Sequence, residues 1–126
     1  MTQPLVLIIE DDPQLSQIFT VALETQFSIE AIIDGNTALG RLEEVVPDIV
    51  VLDLHLPGSS GADVLAKIRG DERLAKVKVI LATADARQAD LLTNEADIVL
   101  LKPVSPVQLR AMATRLHPGA STKDAK

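Results

Sequence analysis

Four short apolar runs in this chain each end in a polar residue capable of chemistry. Leu5–Ile9 leads into Glu10-Asp11-Asp12, and Ile49–Leu52 into Asp53. Val79–Ala82 leads into Thr83, and Ile98–Leu101 into Lys102-Pro103. The first run is apolar throughout rather than alternating, the pattern of a strand covered on both faces. If the runs are parallel strands, their polar ends share one edge of one sheet. An α/β sheet usually builds its ligand site at that edge.

Helical patterns fill the intervals between the runs. Asp12-Pro13 supplies an N-cap and a first-turn proline. Leu15, Ile18, Phe19, Ala22 and Leu23 then recur at helical spacing. Residues 29–33 read as a second strand, ending at Asp34-Gly35. Ala38, Leu42 and Val45 define a second helix stopped by Pro47, and Asp48–Leu52 is the third strand. Pro57-Gly58-Ser59-Ser60-Gly61 is a loop, followed by a helix carrying Ala62, Leu65, Ala66 and Arg69 and ended by Gly70-Asp71. Val77–Ala82 is strand four, Arg87–Asn94 a weakly apolar helix, and Ile98–Leu101 strand five. Pro106 opens a last helix with Leu109, Met112, Ala113 and Leu116 on one face, ended by His117-Pro118-Gly119. Alternating strands and helices predict an α/β fold, a (βα)5 doubly wound parallel sheet with helices on both faces. The common order for five such strands is 2-1-3-4-5. That order sets Glu10-Asp11-Asp12 opposite Asp53 across a crevice.

Composition removes several classes. The 126 residues suit one domain, placed here at 4–117, with 118–126 a disordered tail or linker. The absence of cysteine excludes disulfides and thiolate metal sites, and two histidines leave little room for zinc or iron. A net charge of −6 argues against direct nucleic-acid binding. Phe19 and Phe27 are the only aromatic residues, so base-stacking platforms are absent. No apolar run reaches membrane-spanning length and no N-terminal signal pattern is present, so a soluble cytoplasmic protein is expected.

Carboxylates gathered at a crevice raise one another's pKa unless a cation joins them. A hard divalent ion relieves the repulsion, and Mg²⁺ suits a few carboxylates, a carbonyl and several waters. Mg²⁺ also takes phosphate oxygens, while a lysine and a threonine hydroxyl nearby can serve the others. That set of groups fits phosphoryl transfer, in which a carboxylate can itself be the nucleophile.

The strand-end motifs resemble those of response-regulator receiver domains, the phosphoacceptor half of two-component signalling pairs with a flavodoxin-like fold. Residues 5–13 resemble the family's first strand and acidic pair, and residues 53–61 its phosphoacceptor strand and loop. Thr83-Ala84 and Lys102-Pro103 match the remaining two signatures. The resemblance implies Asp53 as phosphoacceptor, with Glu10, Asp11, Asp53 and the His55 backbone carbonyl around Mg²⁺ (or Mn²⁺). It implies that Thr83 and Lys102 contact the phosphoryl group and that Pro103 shapes the following loop, through a cis bond before it. Asp12 lies one past the acidic pair and is assigned to capping the first helix. The implied donor is a sensor histidine kinase or phosphotransfer protein, docking near the first helix and the loop after Lys102. The output partner is open, as is a homodimer.

Two departures stand out. The family usually places Tyr or Phe three residues before the strand-five lysine, where this chain has Val99. The segment from Thr83 to Lys102 is also about one helical turn short of the family's usual length. Both fall on the face many receivers use for output, so the fourth helix is expected to be shortened or irregular. They leave open a phosphorylation-independent interaction module on the same fold. A hydrolase using Asp53 is a third class, but haloacid-dehalogenase-like phosphatases carry a second Asp where this chain has His55.

Overall fold

Among the described residues, five strands and five α-helices alternate. In the computed structural model, which describes residues 3–118, they run β1 (Leu5–Ile9), α1 (Pro13–Leu23), β2 (Ser28–Ile32), α2 (Gly35–Glu44), β3 (Ile49–Leu52), α3 (Gly61–Gly70), β4 (Lys78–Thr83), α4 (Ala86–Leu91), β5 (Ile98–Leu101) and α5 (Pro106–Leu116). A short 3₁₀ turn at Glu72–Leu74 joins α3 to β4. The sheet is parallel with order β2-β1-β3-β4-β5, the doubly wound arrangement expected from the sequence. Residues 119–126, most of the expected tail, lie outside the described region.

Period-two alternation of the central strands divides the core in two. Leu7, Ile9, Val50, Leu52, Val79 and Leu81 point to one side and pack with Ala38 and Leu42 of α2 and Val64, Leu65 and Ile68 of α3. Val6, Ile8, Ile49, Val51, Ile80 and Ala82 point to the other side, where they meet Phe19 of α1 and Leu109 of α5. Both faces of β1, β3 and β4 are therefore buried, which is why those strands read as unbroken apolar runs.

The cap predicted at Asp12 forms, and α2 and α3 have caps of their own. Asp12 accepts from Gln14 N and Leu15 N ahead of Pro13, and Asp34 accepts from Thr37 N. Ser60 and Asp63 form a reciprocal capping box on α3.

Several boundaries differ from the sequence reading: β3 begins at Ile49 rather than Asp48, and β4 runs Lys78–Thr83 rather than Val77–Ala82. β2 runs 28–32 rather than 29–33, because pairing with β1 ends at Ile9↔Ile32 and Ile33 turns out to solvent. α2 stops at Glu44: Val45 adopts φ −132°, ψ 158°, two residues ahead of Pro47. α4 begins at Ala86, capped by Asp85, and ends at Leu91 rather than Asn94. It has only six residues, which accounts for the short segment. Past it, Arg69 of α3 donates to Glu95 O, Val77 O and Asp97 Oδ2. These bonds tie the approach to β5 directly to α3.

Candidate functional site

The order of strands, rather than any local motif, creates the crevice. β1 lies between β2 and β3, so its carboxyl end faces that of β3 while α1 and α3 leave on opposite faces. Asp53 N donates to Ile9 O at 3.1 Å, and Glu10 N donates to Ile32 O at 3.0 Å. Each acidic residue thus emerges one step past the last ladder bond. On the other side of β3, Lys102 N donates to Thr83 O at 2.9 Å, which holds the ends of β4 and β5 in register.

Glu10, Asp11 and Asp53 each present a carboxylate oxygen within 4.8 Å of the others. Glu10 is 1 % exposed and Asp53 5 %, whereas Asp11 faces solvent. Asp12 is turned away to α1, which separates it from the cluster as expected. Lys102 Nζ lies 2.9 Å from Glu10 Oε1 and 3.4 Å from Asp53 Oδ2. Thr83 is fully buried, and its Oγ1 accepts from Asp85 N at 3.1 Å. The side chain that caps α4 is therefore Asp85, and Thr83 is not its N-cap. The Lys102–Pro103 peptide is cis.

One ammonium does not balance three carboxylates. Burial pushes the Glu10 carboxyl above its ordinary range, Asp53 adds to the rise, and Lys102 only partly offsets it. Burial would lower Lys102, but its bond to Glu10 and the charges of Asp53 and Glu10 outweigh this, and it sits above its ordinary value. Glu10 Oε1 is buried, and among the described residues the Lys102 ammonium is its one close polar partner. A buried, underbonded carboxylate oxygen beside two other carboxylates is a donor set that fits Mg²⁺, and the exposed Asp11 side leaves access for waters.

The loop after β3 packs tightly on its neighbours. Gly61 begins α3 so close to β3 that a Cβ there would lie 2.1 Å from Asp53 O. His55 N approaches Asp53 Oδ1 at 3.4 Å, and the exposed His55 side chain places Nε2 2.8 Å from Asp85 Oδ2. This bridge from the β3 loop to the start of α4 has no signature in the sequence, since its partners are 30 residues apart.

A family model described as the response regulator receiver domain matches residues 6–114. The chain belongs to the receiver-domain family. Among receiver-containing relatives, the DNA-binding response regulator MtrA of Mycolicibacterium smegmatis is 36 % identical over 110 residues, covering 84 % of this chain and 47 % of MtrA. The phosphate regulon transcriptional regulatory protein PhoB of Rhizobium meliloti is 31 % identical over 123 residues, covering 91 % of this chain and 54 % of PhoB. The chain spans about half the length of these curated relatives. A signal receiver domain from Vibrio parahaemolyticus superimposes with TM-score 0.84 at 28 % identity, covering 98 % of this receiver and 96 % of that one. The receiver domain of a Pseudomonas aeruginosa sensor histidine kinase superimposes with TM-score 0.82 at 25 % identity, covering 91 % and 98 %. That neighbour has a magnesium ion coordinated in its active-site cleft.

Within this receiver domain, Val99 is half-buried on β5 and packs against the α2–α3 side of the core. It faces a shallow groove bordered by Ala86, Ala89 and Thr93. Among the described residues no helix is long and apolar enough to cross a membrane.

Proposed function

We propose that this receiver domain is a phosphorylation-dependent signalling switch whose Asp53 accepts a phosphoryl group from a phosphohistidine donor in the presence of Mg²⁺. The observation that carries the reading is the meeting of the Glu10, Asp11 and Asp53 carboxylates at one crevice with Lys102 bridging two of them. Glu10, Asp11, Asp53 and the His55 backbone carbonyl would hold the ion. Bound there, Mg²⁺ neutralises charge on the transferring phosphoryl oxygens.

The remaining work falls to side chains of this chain. A carboxylate oxygen of Asp53 attacks phosphorus; the O–P bond forms as the donor's N–P bond breaks, and the released imidazole takes a proton from solvent. Lys102 moves from its carboxylate partners to a phosphoryl oxygen. The Thr83 hydroxyl is already bonded through its oxygen to Asp85 N. When Thr83 turns to donate to the phosphoryl group, that bond is the one disturbed, and α4 begins at the next residue.

The donor is a sensor histidine kinase or phosphotransfer protein, in a cytoplasmic setting, and the output is a partner protein or a further domain. The chain is a regulatory phosphoacceptor rather than an enzyme, with self-phosphorylation and slow self-dephosphorylation its only turnover. A second reading, a phosphorylation-independent interaction module, is favoured by Val99, which removes the aromatic part of the usual relay, and by the short fourth helix.

Intact-mass spectrometry after incubation with Mg²⁺ and acetyl phosphate tests the proposal. The expected result is one added phosphoryl group on wild type and none on Asp53→Asn. An unmodified wild type that also fails to bind a beryllofluoride mimic would sink it. Partner binding equal in wild type and Asp53→Asn, with or without donor, would establish the second reading.

A further inference from the structure

The loop from Asp53 to Ser60 carries the His55 carbonyl, and its two ends are fixed by β3 and by the Gly61 N bond to Leu54 O at 2.9 Å. Its outer turn, Pro57–Ser59, is held from elsewhere. Gly35 N, at the start of α2, donates to Pro57 O at 3.0 Å. Asn36 Oδ1 accepts from Ser59 N at 3.3 Å and from Ser59 Oγ at 2.6 Å. Gly58 between them has φ +76°, and a Cβ there would meet Asn36 Nδ2 at 2.7 Å. The approach is close enough that a Cβ on Gly35 would lie 1.7 Å from Ser59 O.

The same short connection is bonded to the opposite wall of the crevice. Its first residue is Ile32, whose carbonyl accepts the Glu10 N–H at 3.0 Å. Residues 32–36 therefore grip Glu10 at one end and the β3 loop at the other. The distance between those walls decides whether Glu10, Asp11, Asp53 and the His55 carbonyl can reach one ion. Mg²⁺ demands near-octahedral oxygens at about 2.0–2.1 Å, so it punishes a small misplacement.

We infer that Asn36, with Gly35 beside it, is a positioning residue for the divalent-cation site: through Ser59 it sets the β3 loop at the spacing that cation binding requires. This rests on the Mg²⁺-dependent reading of the site proposed above. Asn36 is exposed and none of its bonds goes to a candidate ligand. Its removal leaves the charge and identity of the ligand set unchanged. The effect should thus appear in cation affinity and not in the chemical step once the ion is bound.

The test uses Asn36→Ala, Asn36→Asp, Ser59→Ala and the Asn36→Ala/Ser59→Ala double variant of the whole chain. Mg²⁺ affinity is read by calorimetry, and the Mg²⁺ dependence of Asp53 labelling by acetyl phosphate is read by mass. Asn36→Ala should weaken Mg²⁺ roughly fivefold, less than the 10–100-fold typical of groups bonded directly to a metal ligand. Its labelling rate at saturating Mg²⁺ should stay within about twofold of wild type, the signature of lost binding rather than lost chemistry. Asn36→Asp keeps the acceptor oxygen and should restore affinity. Ser59→Ala should match Asn36→Ala, and the double variant should be no worse than either. Unchanged Mg²⁺ affinity in a folded Asn36→Ala overturns the inference, as does an equal fall in the saturated rate or a failure of Asp to rescue. A wild type that binds Mg²⁺ but is neither labelled nor occupied by a beryllofluoride mimic sinks the phosphoacceptor reading alone, and the calorimetric affinities then decide the positioning role. A wild type that binds no Mg²⁺ overturns both.

Discussion

Replacing Asp53 with Asn should make the metal-free protein more stable. The substitution keeps shape and removes one charge from a cluster of three carboxylates. At an effective dielectric of about 20, two like charges at the 4.8 Å limit of that cluster repel by about 3.5 kcal/mol. On the same scale Lys102, 3.4 Å away, attracts Asp53 by about 5 kcal/mol. Glu10 acts at full strength because it is buried, while solvent weakens the contribution of exposed Asp11. The balance favours removing the charge by about 1 kcal/mol, or about 3–4 °C in melting temperature for a domain of this size. Saturating Mg²⁺ should invert the order, because an ion at 100 times its dissociation constant stabilises wild type by about 2.7 kcal/mol. Acid should close the metal-free gap. The folded pKa of Glu10 lies above its ordinary 4.5, so the folded state binds the extra proton. Wild type therefore gains stability as pH falls through that folded value toward 4.5, and the repulsion is relieved. Urea melts of both proteins with EDTA and with Mg²⁺, at neutral and acidic pH, measure all three effects. An Asn variant that is the weaker protein without Mg²⁺ would refute the idea that repulsion outweighs the lysine.

Other expectations follow from contacts around the site. Gly61→Ala forces a Cβ to within 2.1 Å of Asp53 O and should cost about 2–3 kcal/mol in a urea melt. Arg69→Ala removes three bonds to residues before β4 and β5 and should cost about 2–3 kcal/mol, with faster amide exchange around Glu95–Asp97. The raised pKa of Lys102 gives stability that is fully present below 10.5 and lost as pH rises through the higher folded value. Lys102→Met should flatten that alkaline loss; an unchanged alkaline profile would show the ammonium to be unimportant to the folded state.

Much of this architecture was legible because parallel strands are simple objects. β1, β3 and β4 are covered on both faces, so their sequences carry no alternation to misread. β2 is an edge strand with exposed Ser28 and Ala31; its range and that of β4 each differ by one residue from the sequence reading. Two helix starts were legible, through the Asp12 cap with Pro13 and through Pro106. The convergence of Glu10, Asp11, Asp53 and Lys102 followed from strand order alone. What stayed hidden was the set of long-range bonds between loops. Asn36 meets Ser59 across 23 residues, His55 meets Asp85 across 30, and Arg69 meets Asp97 across 28. No periodicity announces such pairs. Gly35 and Gly61 read as turn residues, yet both are required by backbone contact with the β3 loop.

The six-residue α4 has a consequence for how the chain can move. A helix this short cannot recover its nucleation cost from internal bonds, and among the described residues its one buried side chain is Ala89. It belongs at the low end of local stability, where segments open without the rest of the domain. The Arg69 bonds anchor the chain just beyond it, so opening need not spread into β5. Any signal leaving by this edge would then be an order–disorder transition of α4. A bias of only about 1.4 kcal/mol would change its open fraction tenfold.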